Sequence, residues 1–101
     1  MERGLFNIID ANVHTLIPVG SGGGGVKSIR MANGSVDCTA QLYLEDTATP
    51  SNKVYIIRSV LLAGGSTLEI DDLGFDNSVL SLNIQLLGSL YGIYNTSIIL
   101  K

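Results

Sequence analysis

Apolar and polar residues alternate with a period of two along most of this chain. The clearest run extends from Asp37 to Glu45, where every second residue is apolar: Cys38, Ala40, Leu42 and Leu44. The same alternation runs from Val79 to Leu86, and near the end one face carries Tyr94, Thr96, Ile98 and Leu100. This is the spacing of side chains on one face of a β-strand, so the sequence predicts half-buried strands.

Turn-forming residues divide the chain into short segments of strand length. They occur at Gly20–Gly25, Asn33-Gly34, Thr49–Asn52, Gly64-Gly65, Gly74–Asn77 and Gly88. The pair Asn33-Gly34, between two apolar runs, predicts a hairpin. Further strands are predicted at 26–31 and 67–70, with one or two less regular strands between residues 6 and 19. No window of about ten residues has the period of a helix.

The spacing of these segments predicts the fold class. Turns every ~8–12 residues, without helical segments between them, are typical of all-β sandwiches and barrels. We therefore predict one all-β domain over residues 1–101, an immunoglobulin-like or jelly-roll-like β-sandwich of about seven to eight short antiparallel strands. A chain of 101 residues has the usual size of a single domain.

The segment from Lys53 to Leu62 is apolar on both faces. By strand spacing, one face carries Tyr55, Ile57 and Leu61, and the other carries Val54, Ile56, Val60 and Leu62. A strand of this kind lies either at the centre of a sheet or against a neighbouring subunit. We expect it to mediate protein contacts, with Tyr55 and Ile57 as anchors.

The chain contains four tyrosines and no tryptophan. Tyr43 and Tyr55 are predicted to point outward from their strands, and Tyr91 and Tyr94 lie close together in sequence. Tyrosine is enriched at protein interfaces, so these four residues and Ile57 are the predicted interface residues. The alternative role is an aromatic platform for a sugar, although carbohydrate-binding sandwiches often use tryptophan.

The glycine-rich loop at residues 20–25 raises the question of nucleotide binding. Its glycines fit the spacing G-x-G-x-x-G, and Lys27 follows two residues after the last of them. The dinucleotide-binding motif of this spacing and the P-loop, in which a lysine directly follows a glycine, are phosphate-binding motifs that both need a helix directly after the glycines. The segment VKSIRMANG is instead rich in strand-forming residues, and Val26 separates the lysine from the glycine run. We therefore expect no cofactor, and a loop that is mobile in the isolated chain.

Acidic residues offer two further chemistries. Asp71, Asp72 and Asp76 lie close together, but their spacing differs from that of a calcium-binding loop, so we expect a solvated turn there. Glycoside hydrolysis needs a pair of carboxylates, and the sequence leaves open that two residues among Glu45, Glu69 and this aspartate group form one. No feature of the sequence singles out two of them. No metal site is predicted.

His14 and Cys38 are the only histidine and cysteine in the chain. Zinc sites of the Cys/His type need three or four ligands, which two residues do not supply. Cys38 falls on the apolar side of its strand, where a cysteine behaves as a small buried hydrophobe, so a Cys–His nucleophile is not expected. We predict that the protein is not an enzyme.

The composition favours protein partners over nucleic acid and membranes. The net charge is −3 and no basic stripe is present, so the chain has little charge to neutralise phosphates. No apolar run approaches the ~18 residues of a membrane span. Residues 1–14 lack the pattern of a signal peptide, so we expect synthesis in a cytoplasm. Hydrophobic residues make up 46% of the chain and charged ones only 15%, which indicates apolar surface for subunit contacts.

Three segments together carry a resemblance to a known family. They are IRMANGSVDCTAQLYLED (29–46), KVYIIRSVLLAGGSTLEIDD (53–72) and SVLSLNIQLLGSLYGIYNTSIILK (78–101). A strand after Ala32-Asn33 leads to an acidic turn, then to an apolar strand and to a corner formed by Ala63, Gly65, Ser66, Leu68 and Glu69. With two closing strands after this corner, the chain resembles the small all-β virion structural proteins of tailed bacteriophages, cyanophages among them.

The resemblance implies a function, partners and a location. Proteins of this family are capsid decoration, neck, tail or fibre-associated components, and they offer no catalytic residues to carry over. The implied function is that of a non-enzymatic structural protein of the virion, made in the host bacterial cytoplasm. The implied partners are other capsid, neck or tail proteins and further copies of the chain, in a homo-oligomer or symmetric array. The alternative function is a glycan-binding module for host attachment.

Overall fold

The computed structural model describes residues 4–21, 25–34, 36–46, 48–49, 52–88 and 94–101. Within these ranges the chain forms eight strands and no helix, so the all-β prediction is confirmed. The strands are β1 (Gly4–Ile8), β2 (His14–Ile17), β3 (Gly25–Asn33), β4 (Cys38–Asp46), β5 (Lys53–Leu62), β6 (Thr67–Gly74), β7 (Leu80–Leu87) and β8 (Thr96–Leu100). The irregular segment between residues 6 and 19 contributes two of them, β1 and β2.

The first half of the chain pairs with the second half in reverse order. β1 pairs with β8, β2 with β7, β3 with β6 and β4 with β5, always antiparallel. The chain is thus one long hairpin with β4 and β5 at its tip, rolled into two four-stranded sheets of order β1-β8-β3-β6 and β2-β7-β4-β5. This is a jelly-roll order, which settles the choice between the two predicted sandwiches, because an immunoglobulin fold divides its strands differently.

The core lies between the two sheets and uses one face of each strand. In β4, β7 and β8 the residues of the hydrophobic core are those that the alternation predicted: Cys38, Ala40, Leu42, Leu44, Leu82, Ile84, Leu86, Ile98 and Leu100. β3 adds Ile29 and Met31, which are fully buried. Burying side chains of this size stabilises the fold by roughly 1.5–3 kcal/mol each. The alternation therefore fixes which face of these strands points inward.

Asn33 and Gly34 form a corner between the sheets, so the hairpin prediction is wrong. β3 and β4 belong to different sheets and do not pair. The buried Asn33 side chain donates from Nδ2 to the carbonyl oxygens of Val36 and Leu62, each at 2.8 Å. Gly34 passes so close to Asn95 that an added Cβ would lie 3.0 Å from the Asn95 carbonyl oxygen. These contacts direct the chain out of one sheet and into the other.

β5 lies at the edge of its sheet. Of the two positions that its apolar faces predicted, the centre of a sheet is therefore wrong. Leu42 lies opposite Ile57, whereas the next residue, Tyr43, lies opposite Tyr55, and a second register shift separates Leu42 from Ala40. β5 therefore contains two bulges, each of which adds a residue and changes the alternation of faces. The predicted common face of Tyr55 and Ile57 is also wrong, because Ile57 packs against the core while Tyr55 lies outside.

Candidate functional site

The outer face of the β4–β5 pair carries two of the tyrosines that the sequence singled out. Tyr43 alternates with the core residues Leu42 and Leu44, so it points away from the core, and it lies opposite Tyr55. The ring centroids are 5.5 Å apart and the ring planes are inclined by 51°. Aromatic pairs tilted in this way attract each other beyond the effect of the area that they bury.

Two cations lie over these rings. Lys53 Nζ is 5.1 Å from the centroid of the Tyr43 ring, and Arg58 Cζ is 4.6 Å from that of the Tyr55 ring. Ser59, beside Arg58, has a φ of +54°, a left-handed conformation that few residues other than glycine adopt. The irregular backbone of β5 thus coincides with a cluster of two rings and two cations on the outer face of the β4–β5 pair. Each cation is attracted to the ring beneath it by a cation–π interaction.

The two tyrosines differ in exposure. Tyr43 is only 4% exposed, and this burial raises the pKa of its hydroxyl, with further contributions from Glu45 and Tyr55. Tyr55 is half-buried, Arg58 is exposed and Leu61 is 63% exposed. Tyr43 is therefore covered by its neighbours and contributes almost no area to the exposed surface. We refer to the side chains that form the surface as the β5 face: Lys53, Tyr55, Arg58 and Leu61.

A row of polar and aromatic side chains continues the outer face across the sheet. Its four residues lie opposite one another on β2, β7, β4 and β5: Thr15, Asn83, Tyr43 and Tyr55. Thr15 Oγ1 donates to Asn83 Oδ1 at 2.7 Å, and Asn83 Nδ2 donates to Ser81 Oγ at 2.9 Å. Asn83 is 1% exposed, so its polar atoms are already committed within the protein. The outer face is therefore continuous from β2 to β5 through cross-strand neighbours.

The other predicted interface residues do not join the β5 face. Ile57 packs against the core from its own strand. Tyr94 also packs against the core, and it precedes β8 in the other sheet. Tyr91 lies outside the described residues. The structure thus brings together Tyr43 and Tyr55, and their role in protein contacts stays a prediction.

Sequence reasoning missed the cations of the β5 face, although it placed Leu61 on the same face as Tyr55. Lys53 and Arg58 flank Tyr55 in the sequence, but strict alternation gives no reason to place Arg58 over its ring. The bulges decide this, and period-two spacing does not reveal them. The one available signal was Arg58 itself, a charge that interrupts an apolar face.

His14 and Cys38 lie far apart in the same sheet. His14 is opposite Ile84, which is opposite Leu42, four residues along β4 from Cys38, an offset of about 13 Å along the strand. Cys38 is buried, as predicted, and this burial raises the pKa of its thiol. His14 Nε2 instead lies 2.7 Å from Asp10 Oδ1, a hydrogen bond that holds the pKa of the Asp10 carboxyl below its usual range.

The acidic residues do not converge on one site. Glu45 and Glu69 belong to different sheets, and Glu69 lies 3.6 Å from Arg30. Asp76 accepts hydrogen bonds from the Oγ and the backbone N–H of Ser78, which hold its pKa below the usual range. Among the residues that the structure describes, no three His, Cys, Asp or Glu side chains are grouped to hold a metal ion.

The strand predicted after the glycine-rich loop is confirmed. β3 begins at Gly25, so a strand stands where both phosphate-binding motifs need a helix. Residues 22–24 lie outside the described part of the chain, and the predicted mobility of the loop stays a prediction.

Comparison of the chain with protein-family models, with curated proteins and with solved structures found no match. Within the described ranges, no helix is long and apolar enough to cross a membrane. Function is therefore inferred from the surface that this fold presents.

Proposed function

We propose that this protein is a non-enzymatic structural component of a bacteriophage virion, which binds copies of itself and other capsid, neck or tail proteins. The observation that carries the proposal is the β5 face, where Arg58 stacks on the half-buried ring of Tyr55. Tyrosine and arginine are enriched among the residues that dominate protein–protein binding energy. Leu61, farther along β5 and 63% exposed, adds apolar area whose burial by a partner favours binding.

Two further observations support the virion setting. The segments that resemble phage structural proteins correspond to most of β3 through β8, so they cover much of both sheets. Jelly-roll sandwiches also occur among viral capsid proteins. A fold hosts many functions, so the chemistry of the β5 face, rather than the fold, carries the assignment of a protein partner.

Glycan binding has weaker support on this surface. The central polar and aromatic side chains of the outer face, Asn83 and Tyr43, are 1% and 4% exposed. A sugar site presents its hydrogen-bonding groups to the ligand, whereas Asn83 bonds to Thr15 and Ser81. A protein partner needs only the exposed tips of the β5 face.

Mass spectrometry of gradient-purified particles tests the proposal, using cells that produce the phage encoding this chain. We expect the protein to sediment with the particles in multiple copies per particle. Its recovery only among free lysate proteins would contradict the proposal. A glycan array probed with the purified chain tests the alternative: binding to a bacterial polysaccharide that Tyr55→Ala removes would favour host attachment instead.

A further inference from the structure

Three of the four sheet edges carry features that oppose pairing with another strand. β5 has two bulges and the cations Lys53 and Arg58. β2 is four residues long and has a register shift after Thr15. β6 carries Asp71 and Asp72, which lie in the strand rather than in the predicted turn. Charges, bulges and short length are the usual means by which proteins protect exposed edges.

β1 is five residues long and has neither a charged residue nor a bulge. The stretch from Gly4 to Ile9 contains no charged residue. β1 pairs with β8 along its full length, Gly4 to Ile8, without a register shift, so its free edge is regular. Leu5 and Ile9 are each 65% exposed, the highest exposure among the large apolar side chains of the described ranges. The fourth edge therefore has the properties of a strand that accepts another strand.

We propose that β1 of one copy pairs antiparallel with β1 of a second copy about a two-fold axis at Asn7. The sheets β1-β8-β3-β6 of the two copies would then join into one eight-stranded sheet. With Asn7 of one copy opposite Asn7 of the other, Leu5 of each copy would face Ile9 of the other, so the two apolar side chains that are 65% exposed would cover each other. No residue from Gly4 to Ile9 is charged, so no like charges meet at the axis, and this self-complementary stretch favours a second copy as the occupant.

Pairing of five residues makes a small contact, in the size class of weak interfaces. Ile9, which is exposed and directly follows β1 in the chain, adds apolar area to the contact with the second copy. Weak contacts suffice in an assembly, because several of them act together once copies are held close. The inference rests on the self-association proposed above, and it adds a contact separate from the β5 face.

Hydrogen–deuterium exchange at two protein concentrations tests the proposal on the intact chain. We expect amides between Leu5 and Ile8 to exchange more slowly at the higher concentration, because pairing protects them. Residues 67–74 of β6, at the opposite edge of the same sheet, are the matched control and should exchange equally at both concentrations. No concentration dependence in β1, or an equal dependence in β6, would overturn the proposal.

Charge substitutions at Asn7, an exposed β1 residue, give a second test. We expect Asn7→Lys and Asn7→Glu each to weaken self-association at least tenfold in sedimentation equilibrium, and Asn7→Gln to leave it unchanged. A mixture of the lysine and glutamate variants should associate again, because opposite charges then face each other across the two-fold axis. Failure of the mixture to associate would overturn the pairing. The presence of the protein in particles tests the proposed function separately.

Discussion

Asn33 Nδ2 lies 2.8 Å from the carbonyl oxygen of Leu62, and this hydrogen bond joins the last residue of β3 to the last residue of β5. The two strands belong to different sheets. The same amide nitrogen also donates to Val36 at 2.8 Å, so one buried side chain fixes the corner after β3 and the end of the edge strand. The orientation of the β5 face thus depends on a residue of the opposite sheet.

Asn33→Ala should destabilise the protein by about 2–3 kcal/mol, because two buried carbonyl groups lose their donor. For a domain of this size the melting temperature should fall by roughly 10 °C or more, measured by circular dichroism. Asn7→Ala, at an exposed asparagine, is the control and should melt within about 2 °C of the unchanged protein. Equal melting temperatures for the two variants would show that the corner does not depend on Asn33.

Thr96→Val should leave stability unchanged or raise it by up to about 1–2 kcal/mol. Thr96 Oγ1 is fully buried, and among the described residues it meets the geometry of no hydrogen bond, with only the weakly accepting Cys38 thiol as an electrostatic partner. Burying a hydroxyl without a good partner is costly, and valine keeps the shape of threonine without the hydroxyl. Thr96→Ser keeps the hydroxyl, loses a methyl group and should destabilise the fold in urea unfolding. A marked loss in the valine variant would mean that the hydroxyl makes a stabilising interaction.

Ile57 and Leu61 should respond differently to truncation, although both are apolar residues of β5. Ile57 packs against the core, so Ile57→Ala should cost about 1–2 kcal/mol. Leu61 is 63% exposed, so Leu61→Ala should change the free energy of unfolding by less than about 0.5 kcal/mol. Urea unfolding of both variants measures the difference. Equal losses for the two variants would contradict the bulge between Ile57 and Val60, because strict alternation places both residues on one face.

Tyr43 should make the fold less stable at alkaline pH. Burial raises its pKa in the folded protein, whereas the unfolded chain ionises near a pKa of about 10. Its contribution to stability is therefore complete below the unfolded pKa and is lost as pH rises through the folded pKa. Between pH 8 and pH 11 the free energy of unfolding should fall by less in Tyr43→Phe than in the unchanged protein. An equal fall would mean that the Tyr43 hydroxyl is not buried in solution.

The sequence predicted the strands and their inward faces where pairing is regular. The residues Leu42, Leu82 and Ile98 belong to runs with a strict period of two, and all three are fully buried. This period-two alternation depends only on which face of a strand is buried. It can therefore be recognised in the sequence without knowledge of the strand partners. The same alternation placed Tyr43 correctly on the outer side of β4.

The sequence did not reveal features that arise between strands distant in the chain. Asn33-Gly34 has the chemistry of a hairpin turn, but the contacts to Leu62 and Asn95 that make it a corner come from later segments. The outward face of Ile57 was predicted wrongly because a bulge depends on the partner strand. Tyr43 was expected at the surface, and its cross-strand neighbours, Tyr55 among them, help bury it.

The central claim is that the protein assembles into particles through the β5 face. The most direct test is to measure how strongly charge-reversed variants bind to particles. The measurement is the affinity of purified protein for phage particles that lack it, with Arg58→Glu compared against Lys27→Glu. Both residues are exposed and both variants change the net charge equally, but Lys27 lies on β3 in the other sheet. We predict that Arg58→Glu binds roughly 30-fold more weakly, as expected for a residue that dominates an interface, and that Lys27→Glu binds as the unchanged protein does. Equal binding by Arg58→Glu and the unchanged protein would contradict assembly through the β5 face.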